Sequence, residues 1–404
     1  MKTKKLPAIT IVTLSLILVA LTFLSLTTSC KKATAPNPDG YKYSIPQVYA
    51  DGLETASLES VEMSVGPIEE MMDYLKSENQ KTTGGHTIHN ILIVKDNKLV
   101  FEEYFKGYKF VITAPDFNGE VMDYTRTTDH FMASVSKSVT SVIFGIAVKE
   151  GYFNDLNKKI IDYLPQYSDI LTGQKANITL HHLLTMTCGL AFDETTYNYG
   201  DTRNELRQAM SATDPLLYIL SKPLESAPGT HFHYSSGSGL ILAAILEKVT
   251  GMKFLDYANA KLFDPLRSEG GAWSATSSGL IFASGGLSIK ARELTKIGLL
   301  FLNAGQWEGK QIITPAWIAL TQQAQVASTG NYLPNSLYSY QWWTTNFSIK
   351  GVSRKCFYAC GWGGQYMFII PDLNLIIEMN AGNYLGTDRV SQLDLVTGYI
   401  LRAI

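Results

Sequence analysis

The most constraining stretch of this chain is Val139 to Val148, which reads Val-Thr-Ser-Val-Ile-Phe-Gly-Ile-Ala-Val and is apolar on nearly every face of a helix. Such a helix has no side to show to water, so it belongs in the core and the rest of the chain has to cover it. Gly151 is placed to close it. At its mouth stands Ser134-Val135-Ser136-Lys137, a serine with a lysine three positions later. Residues three apart share a helix face, so the Ser134 hydroxyl and the Lys137 ammonium are expected within touching distance.

That pairing has a chemical use. A serine hydroxyl is a poor nucleophile until an adjacent base takes its proton, and lysine can be that base when burial lowers its pKa. A position at the helix N-terminus also favours the alkoxide character that develops on attack. The plainer reading of Ser134 is a helix N-cap, which serine often is before an apolar run. The spacing alone leaves both open.

The 404 residues suffice for a large core, and 46% hydrophobic with 17% charged residues is the composition of a globular enzyme. A net charge of -2 argues against a nucleic-acid partner, which calls for a basic patch. Lys2, Lys4 and Lys5 precede an uncharged run from Leu6 to Ser29 that ends at Cys30. This reads as a targeting segment. Thr27, Thr28 and Ser29 before a cysteine look like a bacterial lipoprotein signal, although Thr27 stands where an aliphatic residue is usual. Cleavage would leave Cys30 as the lipidated first residue; the alternative is an uncleaved membrane anchor. Either way the enzyme part is expected outside the cytoplasm, on the periplasmic or outer-membrane side of a bacterium. The remaining Cys188, Cys356 and Cys360 are odd in number. Cys356 and Cys360 share a strand face about 13 Å apart, too far to bridge, so three free thiols are expected.

Beyond the signal (1–29), residues 30–60 read as a tether. Val65 to Gln80 fits an amphipathic helix with Ile68, Met71, Met72 and Leu75 on one stripe. Ile88 to Val94 and Lys98 to Phe105 read as strands joined at Asp96-Asn97. The segment 151–279 is mostly helical, with Thr179, Asp214 and Ser236 as caps. Strand character returns at Leu337 to Thr345, Lys355 to Cys360, Gln365 to Ile370 and Leu375 to Asn380, and Asp388 to Ile404 reads as a last helix. The pattern predicts an α/β chain of the α+β type. An antiparallel sheet flanked by N- and C-terminal helices (61–150 with 280–404) would carry an inserted all-helical domain (151–279). Ser134 would face the crevice between them.

A second constellation follows at Tyr234-Ser235-Ser236, where a phenol and a hydroxyl at a loop-to-helix junction could reach the same crevice. A tyrosine beside an ammonium can serve as base and proton shuttle; alone, the same residues fit an interfacial tyrosine and an N-cap. Together with Ser134 and Lys137 they resemble the serine beta-lactamase and penicillin-binding-protein superfamily. The likeness is to its class C-like branch, which includes esterases and 6-aminohexanoate-oligomer hydrolases. It runs from about residue 88 to 400. It also rests on His182-Leu183-Leu184-Thr185-Met186-Thr187-Cys188-Gly189-Leu190, Leu262-Phe263-Asp264-Pro265-Leu266, Gly285-Gly286-Leu287-Ser288 and Gly361-Trp362-Gly363-Gly364-Gln365.

The resemblance implies a beta-lactamase/transpeptidase-like fold and acyl transfer through Ser134, with Lys137 and Tyr234 sharing the proton traffic and no metal or cofactor. It implies an oxyanion site made by the backbone N–H groups of Ser134 and Trp362, beside Gly361 and Gly363. Two residues depart from the branch: Ser236 stands where Asn is usual, and Ala359 where Lys or His is usual. The lost cation is the group that would help bind a substrate carboxylate, which favours an esterase or amide hydrolase over a beta-lactamase or D,D-peptidase. A small-molecule ester, amide or lactam is the expected substrate, with Tyr197, Tyr199, Trp342 and Trp343 as guesses at the pocket wall. The rival of another class is a catalytically dead binder of cell-wall fragments. The pairs His181-His182 and His231/His233 lack a carboxylate-rich zinc motif. Gly305 to Lys310 is one residue short of a P-loop, and no Gly-x-Ser-x-Gly elbow occurs.

Overall fold

The turn at Asp96-Asn97 sets the first strand pair. Both residues take left-handed backbone (φ 52° and 63°), the conformation that matches the twist of a tight hairpin, and Ile88–Lys95 pairs antiparallel with Lys98–Tyr104. In the computed structural model, which describes residues 40–81, 87–327, 333–386 and 390–404, this hairpin sits beside the C-terminal strands of the chain. Leu375–Ala381 joins Ile88–Lys95, followed outward by Gln365–Ile370, Val352–Gly361 and Trp342–Ile349, all antiparallel. Short edge strands bring the sheet to nine.

Alternation along the strands divides the apolar residues between two faces. On one side Ile91, Ile93, Phe368 and Ile370 pack with Ile68, Met71, Met72 and Leu75 of the helix Val65–Lys81 and with Leu395, Val396 and Ile400 near the C-terminus. On the other, Leu92, Met367, Ile369 and Ile376 face the core that holds the Ser134 helix (Val135–Lys149) and the helix Ala291–Leu302, where Met367 and Ile376 stand against Gly298. That core continues without a break into 151–279, through Leu183, Leu184, Leu240, Ile241 and Phe254. The Ser134 helix lies in the middle, with Val135 to Ala147 all buried. Gly151 ends it with φ 83°.

Several expectations need correction. The strand predicted over Leu337 to Thr345 is two strands, Leu337–Ser339 and Trp342–Ile349, because Tyr340 and Gln341 (φ 34° and 69°) form a tight turn between them. Gln341 holds that turn to the helical segment through its amide, which donates to the carbonyls of Leu183 and Leu184 at 3.1 Å each. The last helix is shorter than expected: Gln392–Gly398 is followed by a single turn, Ile400–Arg402. Residues 41–60, read as a tether, lie along the sheet. Glu54–Thr55 pairs with Lys98 and Leu99, and the Tyr43 hydroxyl donates to the Val100 carbonyl at 2.9 Å. A hairpin of Lys106–Phe110 and Asn118–Asp123 was not anticipated, since neither strand carries a clean apolar alternation.

Cys30 and the run Leu6 to Ser29 lie outside the described residues. Among the described residues no helix is long and apolar enough to cross a membrane. Cys188, Cys356 and Cys360 are buried free thiols, as expected.

Candidate active site

The chain enters the site on a two-residue strand, His130–Phe131, paired with Leu287–Ile289. It then turns through Ala133, whose φ of 45° is left-handed in a residue with a Cβ, a conformation costing on the order of 1 kcal/mol. The turn is braced from outside. Met132 N–H donates to the Leu287 carbonyl (2.8 Å), and the Ser136 hydroxyl donates to the Ala133 carbonyl (2.6 Å) while accepting from Leu287 N–H (3.1 Å). Ser134 is thereby delivered to the first position before the helix. Its side chain makes no capping hydrogen bond, so the plainer reading of this serine does not hold.

Instead, Ser134 Oγ accepts from Lys137 Nζ at 3.1 Å. Lys137 is almost fully buried and also donates to Ser236 Oγ (3.0 Å) and the Ser284 carbonyl (2.9 Å). Burial lowers its pKa to about 8, against the opposing pull of Glu194 and Cys360. The consequence is geometric as well as electrostatic. An amine that has lost one proton keeps two N–H groups for Ser236 and Ser284 and turns its lone pair to the Ser134 hydroxyl.

Ser236 precedes the helix Gly237–Thr250 and likewise makes no cap. Its hydroxyl donates to Glu194 Oε1 (3.0 Å), its N–H donates to Glu194 Oε2 (2.9 Å), and its carbonyl accepts from the Ser284 hydroxyl (2.8 Å). Glu194 is buried, and burial pushes its carboxyl up while Lys137 opposes the shift. Sequence reasoning missed Glu194. It stands 42 residues from Ser236 in an irregular segment, and no spacing ties the two.

Tyr234 reaches the same place with the face of its ring, whose centroid lies 4.6 Å from Lys137 Nζ. Behind it stacks Trp343, 6.1 Å away and 24° from parallel. Trp343 is therefore a support for Tyr234 and not a wall of the pocket, which corrects the expectation for it. Trp342 is corrected too: it is fully buried, 4.5 Å from the Phe301 ring. Strand alternation sends these neighbours to opposite faces, into the two cores.

Gly361 ends its strand hard against the serine turn. A Cβ there would press into the Met132 carbonyl oxygen and stand 3.1 Å from Ser134 N, so only glycine allows this approach. Gly363 and Gly364 follow with φ of 87° and 90°. Trp362, between Gly361 and Gly363, turns its ring to Tyr199 (5.0 Å) and Phe117 (4.7 Å), and its indole N–H donates to the Tyr384 carbonyl (3.0 Å).

A cavity of about 600 Å³ opens over Ser134 and Ser236. Its wall is largely apolar, with Phe110, Tyr199, Trp273, Phe282 and Trp362. Tyr199 is placed as expected; Tyr197, absent from this wall, carries the Arg203 guanidinium over its ring at 4.2 Å. The histidines are occupied elsewhere: His181 with the Tyr340 hydroxyl (2.8 Å), His182 in the Thr179 cap, and His233 between Glu225 (2.5 Å) and the Phe192 carbonyl (2.9 Å). Among the described residues no cluster of His, Cys, Asp or Glu could hold a metal ion.

A serine and a buried lysine on one helix, facing a cleft at the end of an antiparallel sheet, define a serine hydrolase of the beta-lactamase/transpeptidase-like class. Residues 80–388 match the family model described as Beta-lactamase, and the chain belongs to that family. It is 25% identical over 303 residues to the 6-aminohexanoate-dimer hydrolase of Paenarthrobacter ureafaciens, covering 71% of this chain and 70% of that protein. Among solved structures it is similar in fold to a family VIII carboxylesterase (TM-score 0.60, 14% identity, 84% of this chain and 98% of the other). It is also similar to the octameric penicillin-binding protein homologue of Pyrococcus abyssi (TM-score 0.58, 19% identity, 80% and 74%).

Proposed function

We propose that this hydrolase cleaves a small ester or amide through an acyl-enzyme on Ser134. The observation that carries the reading is the contact between Ser134 Oγ and a buried Lys137 whose pKa is lowered to about 8. In this scheme Ser134 Oγ bonds to the substrate carbonyl carbon as its proton passes to Lys137 Nζ. The carbon–oxygen or carbon–nitrogen bond then breaks, and the leaving group takes a proton by way of Lys137 and Tyr234. Water adds to the acyl ester in the same manner and releases the acid. The backbone N–H groups of Ser134 and Trp362 would hold the oxyanion.

The apolar cavity wall, and Ala359 where the resemblance leads one to expect a cation, favour a scissile bond without a carboxylate next to it. A relative named a dimer hydrolase and a structural neighbour named a carboxylesterase support the same substrate class. The test is turnover of short-chain nitrophenyl esters and linear amides beside nitrocefin and a penicillin, with fluorophosphonate labelling of the serine. A neutral ester is expected to exceed the penicillin in kcat/KM; a protein that hydrolyses none of these and takes up no probe would defeat the reading. We also propose export and lipid attachment at Cys30, which the intact mass of membrane-extracted protein tests: an unmodified Met1 start would exclude it.

A further inference from the structure

Four groups must find room around the reacting carbon when Ser134 attacks: the serine oxygen, the oxyanion, the leaving group and the acyl substituent. In the scheme above the oxyanion points to the N–H groups of Ser134 and Trp362, and the leaving group lies towards Lys137 and Tyr234, which hand it a proton. Tyr234 does not line the cavity over Ser134; its ring meets Trp343 and Tyr338 in the other core. The cavity lies instead beside Phe131 and Ala133, which precede the nucleophile, and over Ser284 to Gly286. The one direction left, that of the acyl substituent, therefore opens into the cavity.

The wall is aromatic and its shape is held. Phe110 stacks on Phe131 (4.3 Å, 3° from parallel) and meets Trp362 edge-on (5.8 Å, 84°), while Trp273 is backed by Phe254 (5.3 Å). The loop after Trp273 is tied back on itself: Ser274 N–H donates to the Gly286 carbonyl (2.9 Å), Phe282 N–H to the Ser274 carbonyl (2.9 Å) and Gly286 N–H to the Phe282 carbonyl (2.8 Å). Ser277 N–H donates to the Met210 carbonyl (2.8 Å), which joins this loop to the short helix Glu205–Ser211, whose Leu206 and Met210 also line the cavity. Among the described residues the wall has one charged side chain, Arg207, and its charge is met by the Asp201 carboxylate in a second cavity of about 340 Å³. The chamber thus presents no uncompensated charge to what enters it.

Ring faces and edges set in a fixed frame suit a flat apolar group, which can stack on one ring and meet the edge of another. Pockets of roughly 300–1,000 Å³ bury most of a drug-sized ligand. At about 600 Å³ this one admits a phenyl ring on a short linker. We propose that the cavity over Ser134 selects the acyl half of the substrate and takes an uncharged arylalkanoyl group, while the alcohol or amine half lies outside it on the Tyr234 side. This rests on the reading of Ser134 as nucleophile and adds which side of the scissile bond carries the specificity, and for what chemistry.

Methyl 3-phenylpropanoate and 2-phenylethyl acetate are isomers that carry the ring on opposite sides of the ester, so their kcat/KM values in the full-length protein show which side is selected. The first is expected to exceed the second about tenfold or more, the effect of burying one ring. Met210→Trp, which fills the chamber, and Trp273→Ala, which removes a wall, should each lower that ratio severalfold. Equal turnover of the two esters, a preference for the acetate, or a ratio that both variants leave unchanged would overturn the proposal while Ser134 stands as nucleophile. If neither ester is turned over and no fluorophosphonate labels Ser134, the nucleophile reading fails, and calorimetry of 3-phenylpropanamide with the Ser134→Ala protein still decides whether the cavity takes the ring. Binding that Met210→Trp weakens severalfold would support it; no binding, or binding which that substitution leaves unchanged, would overturn it.

Discussion

Glu194 and Lys137 face each other across one hydroxyl group: Ser236 Oγ accepts from Lys137 Nζ at 3.0 Å and donates to Glu194 Oε1 at 3.0 Å. Both ionisable groups are buried, and burial drives each towards its neutral form, the lysine down and the carboxyl up. Each also favours the other's charged form. Ser236 has its donor and acceptor roles fixed by the two, so the lysine is held in one orientation.

Replacing Glu194 should therefore act on the pH profile. The Glu194 charge raises the Lys137 pKa, so Glu194→Gln should move the acid limb of kcat/KM to lower pH. Glu194→Ala should also cost about 1–3 kcal/mol of stability, by leaving the Ser236 N–H buried without an acceptor. A pH–rate series with denaturant titrations separates these effects. An acid limb that stays in place in Glu194→Gln would mean that the carboxylate does not tune the lysine.

The acid limb of the wild type should lie near pH 8, because only the neutral amine can take the Ser134 proton. Stability should follow the same group with a definite sign. Lys137 titrates at about 8 in the folded chain and at the ordinary lysine value of 10.5 in the unfolded one, so between these pH values the unfolded chain binds more protons and stability rises with pH. The full span is worth about 3 kcal/mol. Urea unfolding at pH 7.5 and 9.5 should show part of this rise in wild type, and less of it in Lys137→Met.

Ser134→Ala should abolish turnover, and Lys137→Ala should lower it by about 10³-fold or more, as happens when one member of a nucleophile–base pair is removed. The check is steady-state hydrolysis of the best nitrophenyl ester. Substantial residual activity in Ser134→Ala would move the nucleophile elsewhere.

Gly361→Ala should lower kcat by about 10²-fold, the effect of losing one oxyanion donor, since the added methyl meets the Met132 carbonyl and pushes the strand end away from Ser134 N. KM for a neutral ester should change less. An unchanged kcat would show that the end of this strand does not serve the reaction.

Local pattern made much of this molecule legible in the sequence. The buried Ser134 helix, the Asp96-Asn97 hairpin, the late strands and the Thr179 and Asp214 caps all depend on residues close together in the chain, where periodicity and turn chemistry act directly. The Ser134–Lys137 contact was readable for the same reason, because helix geometry alone brings positions three apart together.

What the sequence could not disclose are contacts between residues far apart in the chain. Glu194 reaches Ser236 over 42 positions, Lys137 reaches the Ser284 carbonyl over 147, and Gly361 closes on Ser134 from the far end of the sheet. Trp342 and Trp343 were misread because aromatic type gives no sign of which sheet face a residue occupies until the strand's register is known. The helix pattern thus determined the pairing of Ser134 with Lys137. Only the packing of the sheet against the helical segment decided what surrounds them, because burial, and with it the lowered pKa of Lys137, is a property of the assembled core.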